Sequence, residues 1–367
     1  MRDHYHVPDN YFLSHSVGCL PKRVPDQLQQ GYFEPWAQAG GDAWPGWLDV
    51  LETFRARLGA FLGCPARNLC PQTNISSGLT KLLHALPDRR EKPTILCAAE
   101  DFPTVGFVLK QAERKGWRVR FMTGDVTDLN AWTDAWDDCV GLIHITHAFS
   151  NTSKLAPVAD LCALARERDV ISVVDIAQSA GAIPVPLDLW RPDFALGTGV
   201  KFLCFGPGAC FLYASDEMIE TCSPLDVGWF SHEDPFEMDI HNFRYADSAM
   251  RFFGGTPSPA PFVIANAALD MWETLGPEKV QARIQDHLNQ LCAAVPDDIL
   301  VSPRAADARG GTFVIAPPDR EAMRQACADN AIRCDERSEG FRFSVHGYTD
   351  DSEIAQLCHA LSAAGLA

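Results

Sequence analysis

The chain has 367 residues, 47% apolar and 22% charged, which suits a globular protein with one large domain and a smaller one. Its 48 acids against 31 Lys and Arg give a net charge of −17 without any polybasic run, so neither nucleic acid nor anionic membrane is an expected partner. The start, Met1-Arg-Asp-His-Tyr-His-Val-Pro8, lacks a signal-peptide core, no stretch reaches the roughly eighteen apolar residues of a spanning helix, and the thirteen scattered cysteines contain no C-x-x-C, all of which points to a reducing, cytoplasmic setting.

Residues 1–45 read as an N-terminal arm. Apolar residues at Trp47, Val50, Leu51, Phe54, Leu58, Phe61 and Leu62 recur at helical spacing and predict a helix over 47–63. A second helix is expected over 76–86, apolar at Leu79, Leu82 and Leu83. Strands over 94–98, 117–122, 140–146, 170–174 and 209–213 then alternate with helices over 105–115 and 158–168. This alternation predicts an α/β fold, a mostly parallel sheet sandwiched by helices across 46–255. The tail, 256–367, reads as a smaller α+β domain: one long helical stretch over 262–296, strands near 311–316 and 340–345, and a closing helix over 352–364.

Ligands of such sheets sit at the carboxyl ends of strands. Asp175 ends the apolar run Val170-Ile-Ser-Val-Val, and Lys201 closes the Gly-rich run Asp193-Phe-Ala-Leu-Gly-Thr-Gly-Val. Singly, each reads as a turn or cap residue. Together they suit pyridoxal 5′-phosphate: the lysine amine forms a Schiff base with the aldehyde, and the carboxylate keeps the pyridine nitrogen protonated. Ser76 and Ser77, at a helix start, suit either ordinary capping or a phosphate cradle. Phe102, between a strand and Pro103, can cover a ring face or pack in the core. Trp229 offers an indole N–H, and Arg342 a guanidinium fork for a carboxylate or a surface ion pair. His144 and His147 lie on one strand at three-residue spacing, so they face opposite sides and make no metal pair. No Walker loop, H-E-x-x-H or G-x-S-x-G occurs, and no metal is expected.

Three stretches carry a resemblance. Tyr11-Phe-Leu-Ser-His-Ser-Val-Gly-Cys-Leu-Pro-Lys22, Gly228-Trp-Phe-Ser-His232 with Phe236-Glu-Met-Asp239, and Cys334-Asp-Glu-Arg337 with Phe341-Arg342 resemble motifs of kynureninase, within the class V group of fold type I pyridoxal phosphate enzymes. The resemblance implies hydrolytic Cβ–Cγ cleavage of an amino acid, with Lys201 and Asp175 catalytic. It implies cofactor contacts from Ser76, Ser77, Phe102, Thr146, Gln178 and Trp229, with Thr256 reaching the site of a partner subunit in a homodimer. Arg342 becomes the substrate-carboxylate anchor, and His15 and Ser16 further substrate contacts. Three positions depart from the pattern: Val200 stands where kynureninase has Tyr, Gln178 where it has His, and Val105 near an expected acid. These leave open a β-eliminating C–S lyase, a class V aminotransferase, or a cofactor-binding protein without turnover.

Overall fold

The computed structural model describes residues 1–89 and 91–366. Its arm starts with two short paired strands, β1 (Tyr5–His6) and β2 (Leu20–Pro21). The central sheet follows: β3 (Leu69–Gln72), β4 (Thr94–Ala98), β5 (Arg118–Met122), β6 (Val140–Thr146), β7 (Ile171–Asp175), β8 (Phe194–Thr198) and β9 (Cys210–Ala214). Their spatial order is β3-β9-β8-β7-β6-β4-β5, and β9 alone runs against the rest. The expected α/β sandwich is therefore present, because continuous apolar strands need cover on both faces. Leu96, Ile143, Ile145, Val174 and Phe211 share one core with Leu51, Phe54 and Leu58 of the helix Trp44–Leu62. Cys97, Leu142, Val173, Leu196 and Leu212 share the other with the helices Ile75–Ala85 and Pro103–Ala112.

The expected helical stretch over 262–296 is two helices, Ala260–Leu275 and Pro277–Ala293. Gly276 sits between them at φ +80°, and Pro277 starts the second. A left-handed glycine stops one helix and a proline at the first position begins the next. Besides the two short arm strands, three strands had no sequence signal. In β3, Pro71 disguises a strand that the sheet tolerates because it lies at an edge. In β8, Gly197 interrupts the apolar run; its missing side chain leaves room for the Phe211 ring, which would stand 2.2 Å from a Cβ there. The third, β11 (Asp335–Arg337), is charged throughout and pairs with the edge of β12 (Gly340–Ser344), whose other neighbour is β10 (Thr312–Ile315). The helix Arg320–Asp329 beside it was equally silent, being mostly polar.

Candidate active site

β6 and β7 end side by side, with Thr146 opposite Asp175. Side chains alternate along a strand, so His144, Thr146 and Asp175 share the face covered by the helices Ile75–Ala85 and Pro103–Ala112. Asp175 is buried, and its Oδ1 accepts the Ala177 N–H at 2.7 Å. β8 then delivers Lys201 through a tight turn in which the Phe205 N–H reaches the Gly199 carbonyl at 2.7 Å. The arm braces that turn. The Gly18 N–H donates to the Val200 carbonyl at 2.7 Å, and a Cβ on Gly18 would stand 2.1 Å from the Lys201 carbonyl oxygen. Only glycine allows the two backbones so close.

A cleft opens here, lined by Ser76, Phe102, Thr146, Asp175, Gln178 and Lys201 among the expected residues, with Asn74, Ser150, Thr198 and Cys210 besides. Phe102 is 42% exposed and so is no core residue; its ring centroid lies 5.7 Å from the Lys201 Nζ. Burial drives the Lys201 pKa down to about 8, with the Arg342 charge helping and Asp175 opposing, so near neutral pH a usable fraction is free amine. Burial raises the Asp175 pKa, while His144, the Ala177 N–H and Lys201 pull it back.

The cleft fits pyridoxal phosphate. Thr146 Oγ1 and Gln178 Oε1 are buried without a hydrogen-bond partner, a cost that a polar ligand would remove. At the start of the helix Ile75–Ala85 the cap is Asn74, whose Oδ1 takes the Ser77 N–H at 2.8 Å and whose carbonyl takes that of Gly78 at 3.2 Å. Ser76 and Ser77 are therefore not the capping residues; Ser76 lines the cleft at a positively polarised helix end, whereas Ser77 lies outside its lining, in an adjoining hollow with Lys81 and Asp226.

The other expected residues lie outside this lining. The Trp229 Nε1 donates to Thr256 Oγ1 of the same chain at 3.2 Å, and Thr256 is exposed. Ser16 is exposed too. Buried Arg342 faces Asp335: its Nε donates to Oδ1 at 2.7 Å, its Nη2 donates to Oδ2, and its Nη1 donates to the Ser150 carbonyl. Three of five guanidinium donors are thus engaged, and two have no bond among the described residues. His15 joins the set through Asp335 at 3.2 Å and Ser344 at 2.8 Å, while its carbonyl accepts from the Gln178 amide at 3.2 Å. Burial favours a protonated Asp335, yet the bonds from His15 and Arg342 outweigh it and hold the carboxyl below its usual range. Asp335 and Asp101, which hydrogen-bonds His144 at 3.3 Å, escaped the sequence reading. The alternation of His144 with Thr146 was a signal for the second of these; His147, on the other face, packs edge-on against Trp190 at 4.6 Å.

Residues 11–357 match the family model described as aminotransferase class-V. A kynureninase of Deinococcus radiodurans is 32% identical over 71% of this chain and 65% of its own length, so the chain matches just under two thirds of that relative. A kynureninase of Pseudomonas fluorescens is 25% identical over 95% of this chain and 87% of its own. Among solved structures, the cystine C–S lyase C-DES in complex with its product cysteine persulfide superposes with a TM-score of 0.86 over 98% of both chains at 20% identity, a likeness of fold.

Proposed function

This chain belongs to the class V aminotransferase family, and from that premise we propose that it is a pyridoxal-phosphate enzyme that cleaves the Cβ–Cγ bond of an α-amino acid hydrolytically, as kynureninase does. When bound, the cofactor supplies an electron sink for charge developing at the substrate Cα. Lys201 provides the amine that carries it, then takes the Cα proton at Nζ; its low pKa suits both tasks. Asp175 offers its carboxylate to the ring nitrogen, Phe102 one ring face, and Thr146 and Gln178 their unpartnered polar atoms. Ser76 and Ser77 receive the phosphate. Arg342, held by Asp335, reads the substrate carboxylate, and His15 keeps Asp335 in place. The observation that carries this reading is the joint placement of Lys201, Asp175 and the two orphaned polar atoms in one cleft. Trp229 and Thr256 act across a homodimer interface in this reading, supported by exposed Phe236, Met238 and Ile240 beside Trp229.

A second reading, β-elimination of a sulfur leaving group, is favoured by Val200 and Gln178. Neither supplies a titrating proton, and general acid–base help is worth roughly a hundredfold to ten-thousandfold. One assay divides the two. Incubation with kynurenine and 3-hydroxykynurenine releases alanine and the aromatic acid if the first reading holds. Pyruvate and ammonia from cysteine or cystine, with no alanine released from either kynurenine, would replace it with the second.

A further inference from the structure

Below Asp175, on the same sheet face, lies a polar pair surrounded by apolar side chains. His144 is fully buried, and the Asp101 side chain is nearly so. The His144 Nδ1 and Asp101 Oδ2 are 3.3 Å apart, while His144 Nε2 and Asp101 Oδ1 have no partner. Neither residue lines the cleft, so neither is placed to touch a ligand. Two carboxylates thus act on one buried imidazole: Asp101 bonds it, and Asp175 influences it through charge from the neighbouring strand. Two anions so placed cannot both stay ionised cheaply unless a cation stands between them.

We propose that His144, held by Asp101, is a positioning residue that carries a proton and thereby keeps Asp175 ionised for the cofactor's ring. The proposal rests on the reading that Lys201 and Asp175 hold pyridoxal phosphate. The register supports it: His144 lies opposite Val173, and Asp175 is two residues further along that strand on the same face. Burial works against charge on His144, but the hydrogen bond to Asp101 and the charges of Asp101 and Asp175 outweigh it, and its pKa is raised. Other titrating groups nearby do not compete. Cys97, on β4, and Cys210, on β9, are kept neutral thiols by burial, and Lys201 favours the Asp175 carboxylate as His144 does.

The test reads charge directly in the cofactor-free protein. Nitrogen-15 NMR of the imidazole should show both His144 nitrogens protonated at pH 7 in the wild type, and a neutral ring in Asp101→Asn, which keeps the shape. Carbon-13 NMR of the Asp175 carboxyl, assigned with Asp175→Asn, should show its midpoint rise by about one pH unit, a tenfold change in proton affinity, in His144→Gln. Cofactor addition to the same samples, followed by visible absorption, tests the underlying reading separately. A wild-type His144 that is neutral at pH 7 overturns the proposal. So does an Asp175 midpoint unmoved in His144→Gln. If that variant does not fold, a His144 ring still protonated in Asp101→Asn overturns it instead.

Discussion

The wall of the cleft and the β11–β12 wall outside its lining differ in how they treat their polar groups. The wall built by β6, β7 and β8 leaves Thr146 Oγ1 and Gln178 Oε1 unpartnered and the Lys201 amine with a depressed pKa. The wall built by β11 and β12 partners its own: Arg342, Asp335, His15 and Ser344 form a continuous chain of hydrogen bonds. Unpaired buried polar atoms are costly and persist where a ligand supplies the missing partner. Paired ones hold a shape. In the proposed function the first wall is a cradle completed by its cofactor, whereas the second is a pre-set reader that offers spare donors to a transient substrate.

Changes on the first wall should therefore strike chemistry, and changes on the second should strike substrate affinity. The largest effect is expected of Asp175→Asn. A neutral amide cannot hold the ring nitrogen protonated, so kcat should fall by a hundredfold or more, about 2.7 kcal/mol of barrier, with folding intact by circular dichroism. A kcat within twofold of wild type would remove the pyridine role. Arg342→Lys is expected next, raising KM about tenfold to a hundredfold and changing kcat less, because lysine loses the planar fork and cannot pair with Asp335 in the same way. An unchanged KM would place the carboxylate reader elsewhere.

The smallest effect is a pH dependence. Burial lowers the Lys201 pKa to about 8, so the amine gains nucleophilicity as pH rises through 8 and not through the ordinary lysine value near 10.5. Folding shares the sign: the unfolded lysine binds a proton more tightly, so stability rises with pH between about 8 and 10.5. Cofactor-loading rates measured from pH 6 to 10 should bend near 8. A bend above 10 would mean the amine is solvated.

That Lys201 and Asp175 line one cleft was legible in the sequence because each ends a local pattern, a Gly-rich turn and an apolar strand. The central sheet was legible for the same reason, except where Pro71 and Gly197 mask β3 and β8. What stayed hidden depends on pairing across the fold. Asp101 meets His144 from another strand's end, and Asp335 meets Arg342 across the β11–β12 register. Trp229 and Thr256 announced themselves through motif likeness, yet their contact with each other appears only in three dimensions.

The central claim is that Lys201 carries the cofactor. Reconstitution with pyridoxal phosphate, borohydride reduction, proteolysis and mass spectrometry of the peptides test it directly. The expected result is a pyridoxyl group on the peptide containing Lys201 and on no other in stoichiometric amount. Labelling of another lysine, such as Lys81 on the helix Ile75–Ala85, or no labelled peptide at all, would contradict it.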